Sequence, residues 1–348
     1  MDRRQFLTAS LLALTPGVAL AQTASPPPPF PPVDARSVWL VGDAAPPDPV
    51  KSAARLAQLV QQGKPRDSYL AGGAVAELEK RFATMLGKED CAFLPTGTLA
   101  NHVAVRILAG EATRVIVQHE SHLYRDESDA VPLLSGLNLV NLAPGRAGPT
   151  LDEIKAAVDE AENGPYPLKI GAISLESPVR RAGGEMLAPP SYDIAGTAAL
   201  FDTVYVSLYK YLDAPFGAVL AGSKADIAKA RALRHQFGGT IYQAWPAAVL
   251  ALAALDDFQA RQKAAFAAAD QLFAALDKAG AAKLKAAPNA SNIRHITLNP
   301  KLADGVFDRM RVAGVRLLKP QKDGTTEVWI NDTLTRRPVD EYVKLFLG

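Results

Sequence analysis

Apolar residues along the chain follow two alternating spacings, one typical of helices and one typical of buried strands. In the stretch 74–86 apolar side chains recur at helical spacing, and Gly87 follows as a residue that can end a helix. Thr150 and Glu153 have the spacing of a capping box, which predicts a helix to about residue 162. A further helix is predicted over 98–108, and short strand-like runs lie at 91–94, 115–117, 137–142, 170–175, 203–208 and 217–221. This alternation predicts an α/β domain with a largely parallel sheet.

The second half of the chain predicts a separate, smaller unit. Residues 246–278 are rich in alanine and have helical spacing throughout, so we predict one long connecting helix. Beyond Asn292 the pattern predicts a strand, a helix, two strands and a last helix over about 337–347. The predicted domains are a large domain (37–250), a connecting helix (251–280) and a small C-terminal α/β domain (281–348).

The first residues differ in character from the body of the chain. Arg3-Arg4 begins a twin-arginine pattern, an apolar stretch follows to residue 21, and Ala19-Leu20-Ala21 has the form of a cleavage site. We therefore predict a signal peptide (1–21), a proline-rich extended linker (22–36) and a periplasmic or other extracytoplasmic location. The alternative is an amphipathic or buried N-terminal helix. The apolar stretch is too short to span a bilayer.

Composition narrows the function classes. Of the 348 residues 48% are hydrophobic and 21% are charged, which is ordinary for a globular protein with a core. A formal net charge of +2 argues against nucleic acid or an anionic membrane as the main partner. Cys91 is the single cysteine, so the chain forms no internal disulfide, and one cysteine with five histidines argues against a structural zinc site. No metal site is predicted.

A first candidate for chemistry is the turn formed by Thr96, Gly97 and Thr98, where a predicted strand passes into a predicted helix. Unpaired backbone N–H groups and the helix dipole favour an anion at such a junction. The two hydroxyls add donors and the glycine allows close approach, so the turn would suit a phosphate. The alternative is an ordinary helix cap.

A second candidate is Lys210, which ends the predicted strand 203–208. Partial burial lowers a lysine pKa, which a covalent carbonyl-binding amine requires. The alternative is a lysine that emerges into solvent. A third candidate is the segment His119–Glu127, whose spacing is not that of a His-Glu-x-x-His metal site. Its His122 would stack on an aromatic cofactor, or the segment is a solvated surface loop.

In combination these segments resemble the threonine-aldolase and β-eliminating-lyase family of fold-type I pyridoxal-phosphate (PLP) enzymes, from about Asp43 to Leu255. Residues 96–101 (Thr-Gly-Thr-Leu-Ala-Asn) are similar to the family's Ser-Gly-Thr-Met-Ala-Asn phosphate loop. Residues 207–210 (Ser-Leu-Tyr-Lys) are similar to its Ser-Leu-Ser-Lys. Further similar segments are Asp67-Ser68-Tyr69 with Leu78-Glu79, Glu176 with Gly183-Gly184, Ala214-Pro215 with Gly217, and Gly238-Gly239 with Gln243.

The resemblance implies a large PLP-binding domain with a mostly parallel sheet, followed by a small C-terminal α/β domain. It implies that Lys210 binds PLP covalently and that the turn Thr96–Thr98 holds its phosphate. His122 would stack on the ring, with Glu127 orienting it. The implied substrate is a small amino acid, and the implied assembly is a homodimer or homotetramer with no nucleic-acid partner and no membrane association after export.

The implied reaction is a PLP-dependent lyase reaction on a β-hydroxy or β-substituted amino acid. Threonine aldolase-like retro-aldol cleavage and β-elimination share their first steps, so the sequence does not separate them. Two alternatives remain: a catalytically silent protein with the PLP fold that acts in binding or interaction, and another PLP activity such as that of an aminotransferase.

Four departures from the family pattern bear on this reaction. The family has a strand ending in Leu-Asp-Gly-Ala-Arg, whose aspartate binds the PLP ring nitrogen and whose arginine binds the substrate carboxylate. This chain runs from Gly183-Gly184 into Pro189-Pro190 without that motif. The other departures are Val179 in place of a histidine, Tyr242 in place of an arginine, and Glu327 in place of a C-terminal arginine.

The segment 177–202 contains many glycines and prolines, so we predict that no strand forms between Glu176 and Thr203. The sheet would then have a gap or an edge, the groove beside Lys210 would be wider and wetter, and lyase turnover would be impaired. Asp193 is a possible substitute for the missing aspartate, whereas Asp202 matches the aspartate that opens the lysine strand.

Overall fold

The computed structural model describes residues 29–61, 63, 66–189, 191, 193–287 and 289–348. The predicted signal peptide and the first part of the predicted linker (22–28) lie outside these residues. The strands are β1 (Val38–Trp39), β2 (Asp90–Leu94), β3 (Arg114–Gln118), β4 (Asn138–Leu142), β5 (Ile170–Ser174), β6 (Val204–Ser207), β7 (Ala218–Gly222), β8 (Ala282–Leu284), β9 (Ile293–Leu298), β10 (Val315–Arg316) and β11 (Thr325–Trp329). The helices are α1 (Pro49–Val60), α2 (Gly73–Leu86), α3 (Gly97–Ala109), α4 (His122–Arg125), α5 (Ala130–Ser135), α6 (Leu151–Glu162), α7 (Ile194–Ala199), α8 (Lys224–Gln236), α9 (Trp245–Leu255), α10 (Phe258–Lys278), α11 (Val306–Val312) and α12 (Val339–Leu347). In this part of the chain, no helix combines the length and apolarity needed to cross a membrane.

Local sequence signals set several of these bounds. Helix α2 ends at Gly87, whose φ of 62° lies in the left-handed region that favours glycine. Helix α6 begins after Thr150, whose Oγ1 accepts a hydrogen bond from the backbone N of Glu153 at 3.2 Å. The Glu153 carboxylate in turn accepts from the backbone N of Thr150 at 2.7 Å, so the predicted capping box is confirmed.

The large unit contains two three-stranded sheets with the orders β4-β3-β5 and β2-β7-β6. The first sheet is parallel, as predicted. In the second sheet β7 runs antiparallel to both of its neighbours. The reason is the short connection 208–217 between β6 and β7, because a parallel crossover needs a dozen or more residues. The α/β class of the prediction is confirmed.

The predicted gap lies between the two sheets. The described residues from 175 to 203 contain no strand, so β5 and β6 are both edge strands. The strands β2, β3 and β7 are almost wholly buried, whereas every residue of β6 is partly exposed and Ile173 of β5 is 42% exposed. A buried parallel sheet has both faces covered, so this exposure shows that the gap is open to solvent.

Helix α3 connects the two sheets, because it packs against β5, β6 and β7. Its contact with β5 is close: a Cβ at Gly171 would lie 2.4 Å from the backbone O of Ala109. Helices α1, α2 and α9 share a core with the other face of β2 and β7. The helix therefore spans both sheets, and its last residue, Ala109, lies against β5.

The single connecting helix predicted over 246–278 is wrong, because the chain forms two helices, α9 and α10, separated at Asp256 and Asp257. The Arg261 side chain stabilises the break, since its Nη2 donates to the backbone O of Ala254 at 3.0 Å and its Nε donates to Asp257 Oδ1 at 2.8 Å. Helix α9 packs in the core of the large unit and α10 packs in the core of the C-terminal unit.

The C-terminal unit has the element order predicted beyond Asn292, namely β9, α11, β10, β11 and α12. Its sheet has the order β11-β9-β8, and all its pairs are antiparallel. The short strand β1 pairs in parallel with β10, so Val38 and Leu40 lie in the core of this unit. The N-terminal segment therefore reaches the C-terminal unit before the chain enters the large one.

Candidate active site

The turn between β2 and α3 contains the three residues predicted to hold a phosphate. Thr96 is the N-cap of α3, and its Oγ1 accepts a hydrogen bond from the backbone N of Leu99 at 3.1 Å. Thr98 is half-buried in the first turn of the helix. Thr96 is therefore an ordinary cap, but its hydroxyl still has a proton to donate. The helix start also presents backbone N–H groups and positive potential, so capping and anion binding are compatible.

Gly97 is buried beneath the side chain of Tyr205 on β6. A Cβ at Gly97 would lie 2.3 Å from the Tyr205 Oη, so a larger residue does not fit here. Burial raises the pKa of Tyr205 to about 12, and its hydroxyl therefore keeps its proton at neutral pH. The contact brings β6, the strand that leads to Lys210, against the first turn of α3.

Two buried hydroxyls near this turn have no hydrogen-bond partner among the described residues. They are Thr240 Oγ1 and Ser207 Oγ, which lies two residues beyond Tyr205 on β6 and near the Tyr205 hydroxyl without meeting hydrogen-bond geometry. The loop that carries Thr240 packs on the same turn, because a Cβ at Gly239 would lie 2.4 Å from Leu99 Cδ2. An unpaired buried hydroxyl costs about 1–3 kcal/mol, so such groups nearly always have partners. A phosphate bound at the start of α3 would provide the missing acceptors.

His122 and Glu127 form a hydrogen-bonded pair beyond the end of β3, in which Glu127 is buried and His122 is half exposed. Glu127 Oε1 accepts from His122 Nδ1 at 3.0 Å and from Asn101 Nδ2 of α3 at 2.7 Å. The Glu127 side chain is only 1% exposed, whereas that of His122 is 49% exposed. The hydrogen bond to Glu127 is the main cause of the raised pKa of His122, and burial opposes it. Glu127 therefore fixes the orientation of the imidazole, and Asn101 fixes Glu127.

Replacing Glu127 with glutamine is expected to lower the pKa of His122, because the neutral amide removes the charge that favours imidazolium. An NMR titration of the histidine side chains measures this shift. Glu120→Gln is the matched control, since Glu120 binds His119 instead, at 2.8 Å. In the wild type the pair raises the folded-state pKa, so its stabilising effect is present at low pH and is lost as the pH rises through that pKa. An unchanged His122 titration in Glu127→Gln would contradict this account of the pair.

The end of β3 is also joined to the end of β5. The Gln118 side chain is fully buried and binds both backbone groups of Glu176: its Oε1 accepts from the N of Glu176 at 2.5 Å, and its Nε2 donates to the O at 3.0 Å. The Glu176 carboxylate accepts from the backbone N of His122. Glu176, which is 54 residues beyond His122 in the sequence, thus holds the histidine loop in place and is itself held by Gln118.

Lys210 lies in the turn after β6 and is partly buried. Burial lowers its pKa, and the nearby positive charge of Arg180 lowers it further, while Asp43 and Glu176 act in the opposite direction. A lowered pKa increases the fraction of neutral amine, which is the nucleophilic form. Lys210 is therefore only partly accessible to solvent.

Five of the six predicted site residues are joined through helix α3, and Lys210 follows the strand that packs against the first turn of this helix. Helix α3 carries the phosphate turn at its start and reaches the His122–Glu127 pair through Asn101. Tyr205 joins the same turn to β6, which ends three residues before Lys210. The sequence identified the phosphate turn, the His122–Glu127 pair and Lys210. It assigned no role of their own to the residues around them, namely Asn101, Gln118, Tyr205 and Thr240. Each is a polar residue in or beside an apolar element. That pattern alone does not show which neighbouring strand or helix the side chain contacts.

The sequence family of the chain follows from a direct comparison. The family model described as "Beta-eliminating lyase" matches residues 51–192 and 189–299, which is more than half of the chain. The chain belongs to the β-eliminating lyase family. It is 26% identical over 212 residues to low-specificity L-threonine aldolase 1 of Arabidopsis thaliana, covering 52% of this chain and 59% of that protein. It is 28% identical over 204 residues to the low-specificity L-threonine aldolase of Saccharomyces cerevisiae, covering 50% and 53%. The chain thus spans little more than half the length of these relatives.

The fold of this chain is also found in solved structures. A protein of Exiguobacterium sp. 255-15, assigned as an aromatic amino acid β-eliminating lyase/threonine aldolase, has a TM-score of 0.74 at 24% identity, covering 90% of this chain and 97% of that one. Leishmania major threonine aldolase has a TM-score of 0.66 at 18% identity, covering 89% and 97%. A serine palmitoyltransferase from S. paucimobilis with bound PLP–myriocin has a TM-score of 0.60 at 13% identity, covering 89% and 86%. The predicted fold-type I architecture is therefore confirmed.

This family and fold imply PLP as the cofactor, and the residues fit that group. The unpartnered hydroxyls of Ser207 and Thr240 surround the turn where its phosphate would bind. The partly buried amine of Lys210 would attach PLP, and the flat side chain of His122 would cover its ring.

The positions that depart from the family pattern offer no replacement for the missing aspartate. Asp193 caps α7, where its Oδ1 accepts from the backbone N of Gly196 at 2.8 Å, and Asp202 is exposed. Neither joins the hydrogen bonds around His122. Val179, at the place of the family histidine, is fully buried and makes no polar side-chain contact. Asp193 thus caps its own helix, and its described contacts do not support a role in place of the family aspartate.

Proposed function

We propose that this protein is a PLP-dependent lyase that acts on a β-hydroxy or β-substituted amino acid, by threonine aldolase-like cleavage or by β-elimination. The observation that carries the proposal is the shared strand β6. It presents the unpartnered Ser207 hydroxyl beside the phosphate turn, and it leads directly to the partly buried Lys210. An amine with a lowered pKa next to an unsatisfied anion site is the combination that a phosphorylated aldehyde requires.

Each site residue has a separate task in this proposal. PLP, when bound, supplies an electron sink for bonds next to the amino-acid nitrogen. Lys210 attaches it, and the turn Thr96–Thr98 holds its phosphate with help from Ser207. His122 covers the PLP ring, and the Glu127 carboxylate keeps a proton on Nδ1 of His122. That leaves Nε2 of the same ring to accept or deliver a proton at the substrate.

The test is to add PLP and an amino acid to the purified protein. We expect a visible absorption band with PLP that changes when L-threonine is added, together with release of glycine and acetaldehyde. A β-substituted amino acid offered in parallel distinguishes elimination, because it releases ammonia and a keto acid. A protein that develops no visible band at saturating PLP would contradict the proposal.

A second candidate function is a PLP-binding protein with little or no turnover. The open gap between β5 and β6 favours it, because the strand that would deliver the ring-nitrogen carboxylate is missing from the described residues. Such a protein would show the visible band without product release.

We further propose export by the twin-arginine route, supported by Arg3-Arg4 and the Ala19-Leu20-Ala21 site. This route carries folded proteins, so the cofactor would be loaded before export. Replacing Arg3-Arg4 with Lys-Lys is expected to retain the protein in the cytoplasm, and fractionation of the two forms measures this.

A homodimer or homotetramer is also part of the proposed function. The apolar residues 245–255 suit an interface or a core equally well by sequence, and helix α9 packs in the core of the large unit. Support now comes from Tyr69 and Tyr242, which are each 61% exposed and stack edge to face at 5.2 Å. Sedimentation at micromolar concentration is expected to show at least a dimer, and a monomer would contradict this.

A further inference from the structure

Arg180 lies where three parts of the chain meet. It begins the short 3-10 turn Arg180–Ala182 that follows the end of β5. Its Nη2 lies 2.5 Å from Asp43 Oδ1 in the N-terminal segment. Its Cζ lies 5.1 Å from the centroid of the Trp329 ring, at the end of β11 in the C-terminal unit. An arginine that bridges the large and C-terminal units is thus held at their boundary by an ion pair and a cation–π contact.

The same cluster borders Lys210. Burial raises the pKa of the hydroxyl of Tyr211, the residue directly after Lys210, and the nearby Asp43 carboxylate raises it further. The Tyr211 hydroxyl accepts from Asn292 Nδ2 at 2.8 Å, so it is fixed from the C-terminal unit. The charge of Arg180 acts on the Lys210 amine. Arg180 is therefore close enough to Lys210, where the amino group of a substrate would arrive, for the two charges to interact.

The support of Arg180 includes one of the family departures. Glu327, which stands in place of a C-terminal arginine, accepts a hydrogen bond from Trp329 Nε1 at 3.0 Å. It thereby fixes the indole on which Arg180 lies. Within the described residues the hydrogen bond of the Arg180 guanidinium is the one to Asp43, so Nη1 and Nε remain available for a further acceptor.

Every amino-acid substrate carries a carboxylate that needs a cationic partner. The neighbouring Arg181 does not serve, because its Nε and Nη2 both bind the Asp126 carboxylate, whereas Arg180 binds Asp43 through Nη2 alone. We propose that Arg180 binds the α-carboxylate of the amino-acid substrate and replaces the two arginines that the family pattern would provide. This inference rests on the proposed function, and it restricts the ligand class to amino acids rather than simple amines.

The test compares two ligands that differ by one carboxylate, glycine and methylamine, on the PLP-loaded protein. The change in visible absorption on titration gives a Kd for each. Arg180→Met is expected to weaken glycine binding by about 10- to 100-fold, the range for losing charge-assisted hydrogen bonds to a carboxylate. The Kd of methylamine is expected to stay unchanged. Arg180→Lys, which keeps the charge but loses the planar fork, is expected to give an intermediate Kd for glycine.

Arg181→Met is the matched control and is expected to leave both Kd values unchanged. Asp43→Asn is a second variant that keeps Arg180 and removes its ion pair, and we expect it to retain glycine binding. An unchanged glycine Kd in Arg180→Met overturns the inference, and so does an equal weakening of both ligands, which indicates a structural role. A wild-type protein that shows no visible band with PLP contradicts the proposed function itself, and the two failures are thereby distinguished.

Discussion

Replacing Lys210 with alanine is expected to abolish covalent attachment of PLP and to reduce any lyase turnover by at least about a thousandfold, as for the loss of other covalent catalytic groups. The reason is structural as well as chemical. Lys210 is the lysine that β6 delivers beside the phosphate turn, and burial keeps a larger fraction of its amine neutral. Borohydride reduction of the loaded wild type, followed by peptide mass mapping, is expected to place a pyridoxyl group on Lys210.

The matched control for this prediction is Lys224→Ala. Lys224 is the next lysine along the chain, lies exposed at the start of α8, and is not part of the contacts around the turn. We expect its replacement to leave labelling and turnover unchanged. Label on a lysine other than Lys210, or a labelled Lys210→Ala protein, would show that β6 does not provide the attachment point.

Lyase turnover of the unmodified protein is expected to be orders of magnitude lower than that of a family member with the complete sheet. The missing strand would carry the carboxylate that keeps the PLP ring nitrogen protonated. A charge partner worth a few pKa units corresponds to several kcal/mol, at about 1.4 kcal/mol per unit. Steady-state cleavage of L-threonine and L-allo-threonine by the PLP-loaded protein measures this. Rapid cleavage of either substrate would contradict the prediction.

Restoring the strand is the complementary experiment. A segment ending in Leu-Asp-Gly-Ala-Arg, inserted between Met186 and Ser191, is expected to fill the gap between β5 and β6. Burial of their exposed edges, including Ile173, would raise the melting temperature. The same insertion with asparagine in place of the aspartate is the control. We expect both insertions to raise stability but only the aspartate version to raise turnover. Equal turnover in the two would show that the ring-nitrogen carboxylate is not what the chain lacks.

The pH dependence of activity would follow from two pKa shifts of opposite direction, one at Lys210 and one at His122. The pKa of Lys210 is lowered and that of His122 is raised, so the two pKa values lie closer together than those of free side chains. Neutral lysine is favoured by higher pH, and imidazolium is favoured by lower pH. A site that needs both forms is active in the window between the two pKa values, where each form is present in part.

Short-range signals in the sequence were sufficient for most elements. The capping box at Thr150, the left-handed glycine after α2 and the apolar runs of β3 and β7 act within a few residues, so their structure follows from local chemistry. The absence of a strand before β6 was predicted from its prolines and glycines for the same reason. The order of the C-terminal elements also followed from alternating patterns.

Tertiary structure alone decided how these elements share one site. Asn101 and Glu127 are 26 residues apart, Gln118 and Glu176 are 58 apart, and Asp43 and Arg180 are 137 apart, so no local spacing relates them. The break between α9 and α10 likewise depends on two cores, because each helix buries its apolar face against a different unit. The sequence by itself determined which elements form and which residues could carry the chemistry. Only packing determined which polar side chains meet, because a buried polar group is satisfied by whichever partner the fold places beside it.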